Sequence, residues 1–527
     1  MDEEVSDSER KNYVSCLTWV KRGVAASIPD KIELTPQELK AIIQSTHSEL
    51  QEVKDDADQD SDAEDDPSQS QNCMDLKDGD DVDVDNQENT KAPNSSKNSA
   101  DEFNFEKYDD ESGSMYCNLD GIAEFGDGKD PLITVRESED EDSEKEDDLI
   151  KPDDNLVLVG HIVDDASILE VYVYNEKEGS FYCHHHDYLS FIPLCFEWLS
   201  FDPSAEKPGN LCAIGNDTPI IEVWDLDVVG GVGPVFKLGS KPNKKKHTKR
   251  VGHKDAVLDL AWNSNYGHIL ASASADRTTL LWDLDSGTPS TKFSCFQGIV
   301  QSIQWHCTET HLLLTGSMDK KVRLLDCKTE DVKTWEASGE VERVLWNKFD
   351  PNICFISTDN GFIECIDIRN EKALWQKQIQ EDEIAGLSMS TSCPGLLVSS
   401  DKSGIIRIWD ISNLNEPRVV LEKQTNLGHI ICLEASCDSP FAFAIGGDNK
   451  AHNLNVLDLS TYPEVSERFR SRAPNVASDD SIQMQSHGSK HQELMDVTED
   501  LGSIALGSDK AHKVGKKKKK PRHRNMK

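Results

Sequence analysis

Self-similarity at a period of about forty residues constrains this chain more than any other feature. Six segments share one pattern: Ile221-Glu222-Val223-Trp224-Asp225, Thr279-Leu280-Leu281-Trp282-Asp283, Val322-Arg323-Leu324-Leu325-Asp326, Ile363-Glu364-Cys365-Ile366-Asp367, Ile406-Arg407-Ile408-Trp409-Asp410 and Asn455-Val456-Leu457-Asp458. Each is a short β-type run that closes on a large apolar residue and then Asp. The large residues are separated by 58, 43, 41, 43 and 48 positions, and Leu169–Asn175, ending 49 residues before Trp224, fits as a seventh member. A second series keeps step with the first. Trp262, Trp305, Trp346 and Met389 each fall 20 residues before Trp282, Leu325, Ile366 and Trp409, and Trp198 falls 26 before Trp224. Between the two series lie small-residue strands ending in turn signals, such as Leu270–Asp276, Leu313–Asp319 and Leu397–Asp401. An Asp beside Gly, Lys or Arg suits a tight turn between antiparallel strands. Each unit therefore spells three strands plus a more variable fourth, such as Pro289–Ser294 or Arg418–Glu422.

A 41–43-residue period with a Trp-Asp ending resembles the WD40 repeat, whose fold is the β-propeller. The expectation is an all-β, seven-bladed propeller over 152–470. Trp224-Asp225, Trp282-Asp283 and Trp409-Asp410 keep the ending in full. The Gly-His element that opens such repeats stands as Gly252-His253 and Gly428-His429. In the third unit the resemblance implies a structural hydrogen-bonded set of His253, Ser272 or Ser274, Asp276 and Trp282.

The first unit lacks a strand. Asn155–Gly160, Ile168–Asn175 and Ser180–His184 read as its second to fourth strands, with no first strand directly before them. Residues 13–20, Tyr13-Val14-Ser15-Cys16-Leu17-Thr18-Trp19-Val20, repeat the pattern of Val257–Trp262 and are expected to complete this blade from far upstream; Leu132–Val135 competes for the same place. Thr35-Pro36-Gln37-Glu38 is a capping box with Pro at the first helical position, which predicts a short helix over 36–52.

Charge divides the rest of the chain. The net charge is -41, and residues 51–150 hold 35 Asp and Glu against 8 Lys and Arg. Such a composition cannot bury enough apolar surface to offset the entropy of ordering, so 53–150 is expected to be a disordered acidic insertion. Its apolar islands, Phe103–Tyr108 and Pro131–Val135, are candidates for docking on a folded surface. Two basic runs oppose it. One is the loop 241–251, with Lys241, Lys244, Lys245, Lys246, Lys249 and Arg250; the other lies in the tail 471–527, where Lys516, Lys517, Lys518, Lys519, Lys520 and Arg522 surround Pro521. The tail run reads as a nuclear-import signal, and the loop as a contact for RNA or an acidic partner. Ser61, Ser138 and Ser143 each precede an acidic residue by three positions, the pattern of acidophilic kinases, and are candidate phosphosites.

Catalytic signatures are missing: no phosphate-binding loop, nucleophile elbow, zinc-protease helix or dinucleotide fingerprint is written here. The sequence predicts no enzyme, cofactor, metal or small-molecule substrate. His184-His185-His186-Asp187 stands out, but alternation along a strand puts at most His184 and His186 on one side. The 14 cysteines include no Cys-x-x-Cys pair, and Cys212, Cys354, Cys365 and Cys432 read as small core residues. No window approaches the ~18 apolar residues of a membrane span. The acidic opening Met1-Asp2-Glu3-Glu4 does not read as a secretory signal, so an intracellular protein is expected.

Several stretches together resemble the periodic tryptophan protein 1 family of WD40 proteins. They are Cys16–Ala25 with Pro29-Asp30-Lys31, Leu149–Leu156, Glu170–Asn175, Glu197–Pro203, Thr218–Asp227 and Ala256–Asn263. The resemblance covers roughly 13–50 and 149–460. It implies a nuclear and nucleolar, non-catalytic scaffold acting in ribosome biogenesis, in rRNA processing and subunit assembly. Expected partners are proteins of the ribosome assembly machinery, with pre-ribosomal RNA or histones met through the charged segments. Two rivals are a chromatin-binding propeller with an acidic, aromatic channel that reads a histone tail, and a ubiquitin-ligase substrate receptor. For the second, the Trp-Asp-x-Arg element is represented only by Ile366-Asp367-Ile368-Arg369.

Overall fold

The computed structural model describes residues 11–32, 149–204, 208–231, 233–242 and 248–474. The expected helix over 36–52, nearly all of the acidic insertion, Lys244, Lys245 and Lys246, the three candidate phosphoserines and the tail basic run lie outside the described residues.

Seven antiparallel sheets form the blades of a propeller: six have four strands each, and the last, Ile430–Ala435, Ala442–Gly447 and Leu454–Asp458, has three among the described residues. The inner strands are Asn12–Val20, Pro193–Leu199, Val257–Trp262, Val300–Trp305, Val341–Trp346, Gly386–Met389 and Ile430–Ala435. Blade one takes its inner strand from the N-terminal segment, which pairs with Asn155–Val163 through Leu17 opposite Val159 and Trp19 opposite Val157. The competing stretch, Leu132–Val135, lies outside the described residues.

The core is divided among the gaps between blades, because a pleated sheet carries apolar side chains on both faces and each face needs a cover. Seven apolar clusters fill these gaps. The one that closes the circle joins Val14, Leu17, Trp19 and Tyr174 of blade one to Cys432, Ala442 and Ala444 of blade seven. No covalent link runs from blade seven back to blade one, so this gap is held by packing and hydrogen bonds alone.

An inner strand has one unpaired edge, and the sequence supplies its partners. The indoles of Trp19, Trp305 and Trp346 donate to backbone carbonyls of the preceding inner strand, those of Glu434, Ala261 and Gln304. The backbone amides of Trp262, Ile303 and Ala435 donate to the side chains of Glu197, Asp259 and Ser388 on the preceding blade. Within the second tryptophan series Trp305 and Trp346 thus staple neighbouring inner strands, as Trp19 does, whereas the indoles of Trp198 and Trp262 donate within their own blades, to Asn210 and to the carbonyl of Gly267. The amides of Val344 and Trp346 meet Ser302 and Gln304 in step, so inner strands run parallel. All begin at one face of the ring, called upper here, and end at the lower face.

A short helix, α1 (Pro463–Phe469), follows the last strand on the lower face. Its Val465 and Phe469 are fully buried, and Arg468 and Arg472 both pair with the carboxylate of Asp410 in blade six.

Candidate functional site

Blade three shows how the repeat residues are used. His253 Nε2 lies 2.7 Å from Ser272 Oγ, and the Trp282 indole donates to the same oxygen at 2.8 Å. His253 Nδ1 lies 3.2 Å from Asp276 Oδ2, which also accepts from Lys254 N. A carboxylate only accepts, so Nδ1–H donates to Asp276, and the Ser272 hydroxyl, which accepts from the indole, donates to Nε2. His253 completes the set with Ser272; Ser274 instead donates to the carbonyl of Asp255. The hydrogen bonds from His253, Thr278 and Lys254 N outweigh burial and hold the Asp276 carboxyl well below the usual range. In blade six the Trp409 indole donates to Ser399, and Arg407 replaces His as the partner of the turn carboxylate Asp401; Arg323 does so for Asp319 in blade four. The Asp that ends a unit acts elsewhere, on the turn that follows its strand. Asp225, Asp283 and Asp410 each accept the amide two residues on and so fix that turn. All of these side chains serve the ring.

The central channel is a different matter. Its lower part is a cavity of about 530 Å³. In six of the seven inner strands the ladder slips by one residue near the start, as between Val257 and Asp259 or Val341 and Arg343. A bulge re-aims the residue that follows it. The residues so placed, Cys16, Cys195, Asp259, Ser302, Arg343 and Cys432, all line the channel. Strict alternation assigns such residues from the wrong phase, which is why sequence reading misses Asp259, Ser302 and Arg343; Cys432, read as a small core residue, is buried in the cluster between blades seven and one and also borders the channel. Glu197, Glu434 and Lys348 add charged groups to the lining. Burial pushes the Glu197 carboxyl up to about 8 and that of Glu434 up to about 7, while Lys348 is lowered by burial.

The raised Glu197 value makes a prediction. Its folded pKa lies above the unfolded value of about 4.3, so the folded chain holds a proton that the unfolded chain has released. Its contribution is fully present below about pH 4 and is lost as pH rises toward 8. Glu197→Gln keeps the oxygen that accepts from Trp262 and removes the titration, so its melting temperature should decline less than that of the unsubstituted chain between pH 5 and 8.5. Parallel declines in the two proteins would reject this assignment.

Charged features sort by face. Ser240 and Val251 form a bridge that pinches the basic loop at its base, on the upper face between blades two and three. Lys241, Lys249 and Arg250 are exposed there, and Arg250 donates to the carbonyls of His253 and Lys254. The segment joining Val20 to Leu149 leaves and returns on the lower face, where Asp30–Lys31 pairs in parallel with Val228–Val229.

Comparison with known proteins places this architecture. Residues 244–283 and 287–326 match the WD domain, G-beta repeat family. The chain is 40% identical over 454 residues to the periodic tryptophan protein 1 homolog of Drosophila melanogaster, an alignment that covers 85% of this chain and 94% of that protein. It is 30% identical over 542 aligned residues to periodic tryptophan protein 1 of Saccharomyces cerevisiae, covering 88% and 91%. The chain belongs to the periodic tryptophan protein 1 family. As a member it is a WD40 scaffold protein, built on a fold that typically binds proteins and carries no catalytic site. Among the described residues no helix is long and apolar enough to cross a membrane, and no group of three or more His, Cys, Asp or Glu stands ready for a metal ion.

For this family member the histidine run needs a correction. Val171 pairs with His185 and Tyr172 with Cys183, so His184 is the extra residue of a bulge and alternation fails there. Adjacent His184 and His185 consequently meet, Nδ1 to Nδ1, at 2.8 Å. Burial, with His184 and His186 alongside, lowers His185 to about 4 and leaves it neutral. Cys212, Cys354 and Cys365 are buried in the inter-blade clusters, and their thiols are pushed up by burial. Asp367 and Arg369 pair with one another.

Proposed function

We propose that this protein is a nuclear and nucleolar assembly scaffold in ribosome biogenesis, binding assembly proteins and pre-ribosomal particles. The reading rests on membership of the periodic tryptophan protein 1 family, joined to a ring that sends its acidic insertion from the lower face and its basic loop from the upper. Import would run through Lys516–Lys520 and Arg522, and Ser61, Ser138 and Ser143 would add charge to the insertion when phosphorylated. Affinity purification from cells, split into nuclease-treated and untreated halves, tests the reading. Expected is enrichment of assembly proteins and pre-ribosomal RNA, with co-sedimentation on a gradient; a set of partners without ribosomal precursors overturns it.

The histone-reading alternative draws less support from the channel. Glu197 and Asp259 already accept backbone amides, and Arg343 and Lys348 place positive charge among them, so a basic tail would meet few free acceptors.

A further inference from the structure

The upper face is electrically divided. Across blades three and four it presents Lys254, Arg277 and Lys320, all exposed and continuous with the basic loop; Asp255 stands among them. The nearby turn carboxylates are already engaged, Asp276 with His253 and Asp319 with Arg323. Across blades five and six the same face carries Glu340, Asp359, Glu381, Asp382 and Glu383, with Lys402 paired to Glu383.

Backbone conformation singles out two of these cations. The turn between the second and third strands places one residue in the left-handed region in blades three to six: Arg277 at φ 62°, Lys320 at φ 62°, Gly361 at φ 77° and Gly404 at φ 83°. Its amide closes the turn on Ser274, Ser317, Thr358 and Asp401 respectively. An L side chain there is strained, and glycine avoids the strain. Glycine is used where the face is acidic. Where it is basic, the strained position holds Arg and Lys, whose side chains project from the turn tips.

We infer that Lys254, Arg277 and Lys320 form a binding surface on the ring itself for the phosphate backbone of RNA, continuing the path of the basic loop across blades three and four. The acidic sector of blades five and six repels the same strand and so confines it to one side of the channel mouth. The contacts are to phosphate and carry no base readout. The choice of RNA over another polyanion rests on the assembly reading.

The test uses the full chain and a fluorescein-labelled, mixed-sequence, single-stranded RNA of 30 nucleotides, titrated by anisotropy at several potassium chloride concentrations. The upper-face variant is Lys254→Glu with Arg277→Asp and Lys320→Asp, Asp being tolerated in the left-handed region. A lower-face variant with the same charge change, Lys328→Glu with Lys372→Glu and Arg418→Glu, serves for comparison. Each lost phosphate contact flattens the slope of log affinity against log salt by ~0.7. The upper-face variant should bind at least tenfold more weakly at 0.1 M salt, with a slope flatter by about 2, while the lower-face variant stays near the unsubstituted chain. Equal losses in both variants, or none in either, overturn the inference. If the reversed chain does not fold, the neutral set Lys254→Gln, Arg277→Asn and Lys320→Asn is measured against the same slope criterion. A chain that shows the upper-face effect yet recovers no ribosomal precursors from cells would remove the assembly reading and leave this surface standing.

Discussion

Trp19→Ala should unseat blade one and lower stability by about 3–5 kcal/mol, the usual cost of deleting a buried indole. Trp19 is 4% exposed, meets Tyr174 edge-on at 5.5 Å and donates to Glu434 of blade seven at 3.2 Å. It therefore works in the one gap that no peptide bond spans. Trp305 makes the equivalent staple between blades three and four, where the chain runs continuously from one blade to the next. Loss of Trp305 leaves two blades still tethered, whereas loss of Trp19 frees a strand whose tether crosses more than a hundred residues. Thermal melts of the two alanine variants should place Trp19→Ala lower, by on the order of 10 °C relative to the unsubstituted chain. If Trp305→Ala proves equally damaging, the closing gap has no special standing.

Gly252→Ala should be nearly as severe, for a steric reason. Gly252 has φ +93°, and a Cβ there would lie 2.5 Å from Cη2 of Trp282 and 3.2 Å from Cζ2. Strain of about 1–3 kcal/mol for the backbone adds to about 1–3 kcal/mol for overpacking. The fully buried Trp282 cannot swing away, because its indole is tied to Ser272 and, through it, to His253. Trimming the obstacle tests the cause. The double variant Gly252→Ala with Trp282→Phe should cost less than the two single changes combined, read from urea denaturation midpoints. Strict additivity would show that the collision is not the origin of the loss.

The ring is legible in the sequence because its constraints are periodic. A large apolar residue and an Asp recur every forty-odd positions since Trp224, Trp282, Leu325, Ile366 and Trp409 each pack against the preceding blade and each Asp closes the same turn. The pattern of Val14–Val20 can be read at a distance for the same reason: an inner strand needs the same alternation wherever it lies in the chain. The channel lining is not legible. Asp259, Ser302 and Arg343 follow bulges, and a single inserted residue reverses which side of the strand faces inward. The same kind of slip misleads the reading of His184. Arg277 and Lys320 escape notice because their neighbours are ordinary turn residues, and only the dihedral angle reveals that each sits where glycine would rest more easily.

Closure by the first strand has a consequence for biosynthesis. Trp19 and its blade-seven partner Glu434 are 415 residues apart, which at about 5–20 residues per second amounts to roughly 20–80 s of translation. Throughout that interval the nascent polypeptide carries an extended, tryptophan-bearing segment whose final neighbours have not been made. Blades two to six can stack as they emerge, but the circle waits for the last one. A holdase that shelters Tyr13–Val20 on the translating ribosome would thus govern the yield of native protein more strongly than one acting on any later blade.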